Sequence, residues 1–556
     1  MTNGVLRETA LVIMAGLLAT TVLTHPLVLR MDRVGRMNTG DGQVSIWNVA
    51  WVAHALATDP ARVFQANIYY PHPDTLAYSE ANLVAGTLAI PAWLATRNPF
   101  FAHNMAAALG FVLSFIGAYV LVRSLTQNRG AAFFGGLAFA FCPFMYARTA
   151  HIQLMMTAGL PWSLWACHRM IANPTVTRAI VVGTIVAVQA LACGYYGIFA
   201  GMAVAVTVCF YAVTRGLWRR LRHWALAATA GVVSVALVAP VFRHYLGIEG
   251  ADFNRALDEA KEYSANWQAY LTSASHAHEW MMPFAIGAKD VLFPGFMVVG
   301  LTLVALALVA LHRLESVVPD ARPGRAPWPP RETLLLYLLL AGLAAWCSFG
   351  PDAGLYAWLY GVFPPFGFLR APGRFGIVVT LGLVVCASLA VAHLVRPRRA
   401  WVPALLAVAT AVDVAAFPLP IPEVNPRPHP VYRALANLPS GPVAEFPFFW
   451  LRSDFPRHAY YMVNSTAHWR PMVNGYSDHI PEDFRAMVTD VSGFPTRAAF
   501  RILRERRVRY VVFTLRFYDQ RSRERLFERL EAYKEFVNPI IQHDDVWLYE
   551  IVQWPK

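Results

Sequence analysis

Residues 37–56, MNTGDGQVSIWNVAWVAHAL, and 64–80, FQANIYYPHPDTLAYSE, lie between the first apolar segment and the next one long enough to cross a bilayer. They set one isolated acid, Asp41, among Trp47, Trp51, Phe64, Tyr69, Tyr70 and Tyr78, with Pro71 and Pro73 fixing the chain between them. Plain connecting loops between membrane segments are short and polar, whereas amphipathic rings at this density settle at a membrane–water interface. Residues 30–80 therefore read as an active-site loop lying on the outer membrane surface.

Composition agrees with that setting. Of 556 residues, 56% are hydrophobic and 15% charged, and the mean hydropathy is +0.40, far more apolar than a soluble protein of this size. The net charge of +13 does not point to nucleic acid, because the arginines fall in short clusters between apolar segments and no basic face carries a recognition motif. Cys142, Cys167, Cys193, Cys209, Cys347 and Cys386 all fall inside apolar segments without CxxC spacing, which argues against a zinc site or a disulfide framework. The first apolar segment follows Arg7 and has no small-residue cleavage site, so it reads as a retained signal anchor.

A crossing needs about 20 apolar residues. Eleven segments qualify, near 9–29, 102–124, 131–148, 151–171, 178–195, 197–214, 223–245, 292–312, 333–349, 375–395 and 401–420. Segment 81–97, with Pro91 inside it, is short and reads as a re-entrant or interfacial helix. If it does not cross, Arg123 and Arg129, Arg169 and Arg178, Arg215 to Arg222, Arg313 to Arg331, and Arg396 to Arg399 all fall on one side. Cytoplasmic loops collect such clusters, so the N-terminus is expected inside a bacterial inner membrane. The opposite face receives the 30–80 loop, a second loop at 246–291, the short loop 350–374 and the tail.

The second outer loop mixes Glu249, Asp252, Asp258, Glu259, Glu262, Glu279 and Asp290 with Arg255, Lys261 and Lys289. The tail, 421–556, has the charge density of a soluble domain. VAEFP at 443–447, VRYVVFT at 508–514 and VWLYEI at 546–551 read as buried strands, and 496–507 and 520–534 as helices with charged faces. The expected architecture is thus mainly α, a polytopic helical bundle over 1–420 and a small extracytoplasmic α/β domain over 421–556, joined by Pro-rich 418–430.

Asp41 sits in TGDG, whose glycines permit a tight turn. A carboxylate there can act as general base toward a hydroxyl, or it can merely cap a helix starting near Val44. Glu80 is either a second acid of the site or a helix-terminal charge. His72 and Asp74 in YYPHPDT can be held by Pro71 and Pro73 to meet a substrate, or the prolines set the shape of the loop alone. Arg370 and Arg374 in FLRAPGRF, four apart on one expected helical face, are placed to grip a lipid phosphate or to snorkel. Arg148 and His151, and Tyr195 and Tyr196, mark outer turns that can equally be interface belts. Tyr263, Trp267, Tyr270, His276 and His278 offer faces for sugar stacking or for interface anchoring, and the spacing of the two histidines disfavours a metal pair. STAHWRPMVNGYSDHIP at 465–481, with His468 and Trp469, lacks an apolar period and reads as a loop facing substrate or docking the domain. Phosphate-loop, dinucleotide and HExxH motifs are all missing from the sequence.

A long first outer loop with an early acid, a Tyr-Tyr-Pro segment, a many-span bundle and an outer C-terminal domain together resemble the GT-C class of glycosyltransferases. The resemblance rests on GDGQVSIWNVAW, NIYYPHPDTLAYSEANL, FLRAPGRF and HWRPMVNGYS. It implies a sugar carried on a polyprenyl phosphate, transferred with inversion to an extracytoplasmic glycan, lipid or protein acceptor. It makes Asp41 the catalytic acid of the first loop and Arg370 or Arg374 the group that stabilises the leaving phosphate. Tyr69, Tyr70, His72, Glu80, His151, Tyr196, His468 and Trp469 are the accompanying candidates for substrate and donor binding. The class often pairs acids in this loop, and Asp41 stands between glycines instead, so a base mechanism is favoured over a divalent metal. A flippase for lipid-linked glycans, or a non-catalytic assembly protein, is the alternative. Such a transporter needs charges deep in several spans, and here they gather at the rim.

Overall fold

The computed structural model describes residues 3–248, 256–314, 328–395 and 401–556. Glu249, Asp252 and Arg255 of the second outer loop, and Arg322, Arg325, Arg396, Arg398 and Arg399 of the basic clusters, lie outside the described residues.

The chain is a multi-pass membrane protein. Seven of its described helices are long and apolar enough to cross: Gly4–Leu23, Pro99–Thr126, Arg129–Ala147, Gly194–Thr214, Leu221–Leu246, Pro330–Ser348 and Pro372–Leu394. Val176–Ala192, Phe296–Ala310 and Trp401–Val414 are apolar but shorter. The segment expected over 151–171 is interrupted, with a turn at Ile152–Met155 before the helix Gly159–Ala172. Segment 81–97 forms the 14-residue helix Leu83–Thr96, about 21 Å long and short of the ~30 Å a bilayer core requires.

Packing divides the chain into two compact units. The first comprises residues 1–29, 107–240 and 252–420. Its centre is the helix Gly376–Leu394, which packs on Phe296–Ala310, Pro330–Ser348 and Arg129–Ala140. Lipid is as apolar as leucine, so close van der Waals approach rather than water exclusion holds such helices. Gly382 provides it: a Cβ there would lie 2.7 Å from the Tyr337 carbonyl. At the helix ends Glu8 accepts from Arg123 Nε at 2.9 Å and Arg129 Nη2 at 2.7 Å, and Glu332 accepts from Arg215 Nη2 at 2.6 Å.

The second unit gathers residues 30–106, 241–251 and 421–556. A cut at 420 separates the tail from the bundle in sequence, yet the first outer loop packs with the tail. The sheet runs in the order β1 (Val443–Phe446), β2 (Tyr510–Thr514), β4 (Val546–Ile551), β3 (Val537–His543), with β1 and β2 parallel and the other pairs antiparallel. The expected strands and the helices Arg497–Glu505 and Gln520–Ala532 are present. Strand β3 was hidden by Pro539, which a sheet tolerates at an edge, and its register shifts between Pro539 and Ile541.

Candidate active site

The helix Gly40–Thr58 begins earlier than the sequence suggests. Thr39 is its cap, with its hydroxyl accepting the Gly42 N–H at 3.1 Å, so Asp41 is not the capping residue. It stands exposed in the first turn, where the helix dipole favours a carboxylate. Gly40 and Gly42 have ordinary helical backbone rather than the positive φ of a tight turn. They are small because their neighbours are close: a Cβ on Gly42 would lie 2.3 Å from the Arg36 carbonyl, and one on Gly40 would lie 2.7 Å from Pro456 Cβ. Asp41 is thereby fixed on a backbone gripped on both sides. Arg36, which sequence reasoning passed over, is half-buried beside this turn.

The same helix carries polar anchors along its length. Asn48 Nδ2 donates to the Glu80 carbonyl at 3.1 Å, and Asn48 lies about two turns beyond Asp41 on one helix face. Glu80 is thus held along the helix that bears Asp41. Trp47 Nε1 donates to Asn67 Oδ1 at 3.1 Å, and Asn67 Nδ2 donates to Ser465 Oγ at 3.0 Å and to the Arg470 carbonyl at 3.2 Å. Trp51 Nε1 donates to the Val63 carbonyl at 2.8 Å. The Tyr70 N–H reaches the Met472 carbonyl at 2.9 Å, and Met472 bridges β1 at Val443. These bonds seat the first loop on the sheet.

Several candidates are spent in this packing. Tyr69 is buried against Gly475, Tyr78 and Phe484, and burial pushes its phenol up. His72 Nε2 lies 2.8 Å from Asp483, whose other oxygen accepts from Arg506 at 2.6 Å. His468 Nδ1 accepts the Arg470 N–H at 3.0 Å. Trp469, at φ 51, stacks on His54 with centroids 4.9 Å apart and meets Trp51 and Trp93 edge-on.

In the bundle unit, a second set converges on FLRAPGRF. Arg370 and Arg374 do not share a helical face, since Pro372 keeps Ala371 out of the helical region and helical structure starts only at Pro372. Both meet Tyr195 instead: the Arg370 N–H donates to its hydroxyl at 3.0 Å, and the Arg374 guanidinium lies 4.2 Å from its ring centroid. Arg370 Nη1 also lies 3.8 Å from Glu259. Asp290 pairs with Arg148 and presses on the loop, its Oδ2 2.6 Å from where a Gly373 Cβ would be. Arg148, Arg370 and Arg374 thus lie among Tyr195, Glu259 and Asp290, and guanidinium groups are suited to paired hydrogen bonds with a phosphate. Asp290 was legible only as one acid of a mixed loop. His151, with its N–H on the Arg148 carbonyl at 2.8 Å, follows this arginine. Tyr196 is fully buried, donating to the Leu154 carbonyl at 3.1 Å, and is a packing residue.

Among curated proteins none matches the sequence. Among solved structures, the archaeal oligosaccharyltransferase AglB of Archaeoglobus fulgidus, in complex with an inhibitory peptide and a dolichol-phosphate, aligns with TM-score 0.51 and 13% identity over 95% of this chain and 72% of that one. ArnT of Cupriavidus metallidurans in the apo state aligns at TM-score 0.42 and 14% identity, over 99% and 98% of the two chains. The likeness to AglB is one of fold, and it is the GT-C fold expected from the layout of the chain. The family described as a domain of unknown function, DUF6311, matches residues 13–416. The chain belongs to the DUF6311 family and is built on the GT-C fold.

Proposed function

We propose that this protein is an inverting membrane glycosyltransferase that moves a sugar from a polyprenyl-phosphate donor to an extracytoplasmic glycan, lipid or protein acceptor. The observation that carries the reading is the TGDG turn, which holds an exposed carboxylate at the start of a helix on a backbone too crowded to shift. Asp41 takes the proton from the acceptor hydroxyl as that oxygen attacks the anomeric carbon. The bond to the phosphate breaks, and Arg370 and Arg374, with Arg148 beside them, stabilise the negative charge that develops on the leaving group. Glu80, whose carbonyl is bonded to the helix that bears Asp41, and His151, which follows Arg148 in its turn, are the substrate contacts. The paired charges at Glu8, Arg123 and Arg129, and at Arg215 and Glu332, support a cytoplasmic N-terminus, with the 30–80 loop and the tail outside.

The test is transfer in a host lacking the gene, with envelope glycans compared by mass spectrometry for wild type and Asp41→Asn at matched expression. A sugar increment that appears with wild type and falls 10²–10⁴-fold with Asp41→Asn is expected. Equal restoration by both proteins removes the base from Asp41 and leaves a binding or transport role.

A further inference from the structure

We propose that His429, His543 and Asp544 form a binding site for a divalent transition-metal ion at the tip of the β3–β4 hairpin. One ligand atom from each of the three lies within 4.8 Å of the other two. A tetrahedral ion with bonds of about 2.0–2.1 Å holds its ligands about 3.3–3.4 Å apart, a contraction that side chains at a hairpin tip can make. His543 and Asp544 are exposed and His429 is half-buried.

His429 supplies the observation that points to a ligand. It precedes Pro430, the first residue of the helix Pro430–Asn437, and its Nδ1 accepts the Val431 N–H at 3.4 Å. Its Nε2 is shielded from water and meets no hydrogen-bond partner, a desolvation without compensation that buried polar atoms seldom bear. The His543 ring stands edge-on to it, with centroids 5.3 Å apart. Asp544, at φ 48, brings a carboxylate oxygen to 3.1 Å from His543 Nδ1. An exposed His–Asp pair contributes little by itself and leaves the His429 nitrogen unexplained.

The surrounding charges fit a cation. Asp545, next to the cluster, engages Arg516 at 3.5 Å, so that guanidinium is already paired. Ligation through Nε2 places the ring proton on Nδ1, and the long contact with Val431 is given up. Two imidazoles and one carboxylate leave a fourth position for water and suit zinc or its neighbours in the transition series. The ion would tie the end of the Pro-rich joint at 418–430 to the sheet.

The test is calorimetric titration of Zn²⁺ into the full-length protein in detergent, after chelator treatment and with any polyhistidine tag removed. Wild type and Asp41→Asn are expected to bind one more equivalent than His543→Ala, at micromolar affinity, with at least tenfold weakening in Asp544→Asn. Zinc should raise the melting temperature of wild type and not that of His543→Ala, and His543→Gln checks that loss follows the ligand rather than the fold. No zinc uptake, or uptake by His543→Ala and His543→Gln equal to wild type, overturns the proposal. Because Asp41→Asn retains the site, its failure and that of the transferase reading are separable.

Discussion

Helix Gly376–Leu394 in the bundle and helix Gly40–Thr58 in the loop–tail unit are both buried, and they are held by different forces. The first belongs to the apolar span Pro372–Leu394, nearly all of it buried in the protein, and it is fixed by many small contacts and by glycines such as Gly382. The second has a directed polar bond at nearly every turn: Thr39 to Gly42, Trp47 to Asn67, Asn48 to the Glu80 carbonyl and Trp51 to the Val63 carbonyl. A dispersed contact network loses little with any one contact, since each atom pair contributes only ~0.1–0.2 kcal/mol. A directed network loses a whole bond and strands its partner. The position of Asp41 therefore depends on a handful of residues, whereas the bundle depends on none in particular.

The sharpest way to break that contrast is Asn67→Leu. It removes the acceptor of Trp47 and the donor to Ser465 and Arg470, and we expect a loss of about 2–4 kcal/mol in chemical unfolding of the purified protein. Transfer should fall with it, because the helix bearing Asp41 loses its seat. Gly42→Ala probes the same helix at its start. The added Cβ meets the Arg36 carbonyl, and a cost of about 1–3 kcal/mol should accompany at least a tenfold drop in transfer although the carboxylate remains. Ile377→Val, in the fully buried bundle helix, should cost only about 0.5–1.5 kcal/mol and leave transfer unchanged. A bundle substitution as damaging as Asn67→Leu would collapse the comparison.

The loop–tail unit also carries its own pH dependence. Glu445 is fully buried in β1, and burial raises its carboxyl well above the model-compound value of 4.5, with Tyr432 donating to one oxygen at 3.1 Å. Burial lowers His458 from 6.5 to about 4. The neutral acid contributes stability that is present below 4.5 and is lost as pH rises toward its folded value. The neutral imidazole contributes stability that is present above 6.5 and is lost as pH falls toward about 4. Between these limits the two slopes oppose, that of Glu445 running at most at about 1.4 kcal/mol per pH unit until its folded value is passed. As pH rises above 4.5, the melting temperature of Glu445→Gln should therefore fall less, or rise more, than that of wild type. An unchanged slope in the variant would mean that Glu445 is ionised in place.

Much of the architecture was legible because apolar run length and basic clusters are local properties of a chain. Hydropathy alone marks Pro372–Leu394 and Leu221–Leu246 as crossings of similar strength, but it gives no hint that the first is mostly buried in the protein and the second mostly exposed. The three strands with continuous β-branched and aromatic runs could be read, while β3, interrupted by Pro539, could not.

By itself the sequence determined a many-span membrane protein with a long aromatic first loop, an acid set between glycines early in that loop and a soluble-like tail, since each follows from residue type within a short window. Only the tertiary structure decided that the loop and the tail fold as one unit, because the bonds joining them link residues such as Asn67 and Ser465, 398 positions apart. It alone decided that Gly40 and Gly42 serve close approach rather than turning, and that Arg370 and Arg374 meet at Tyr195 rather than along a helix. Close approach depends on what lies across a gap in space, and no spacing along the chain encodes that neighbour.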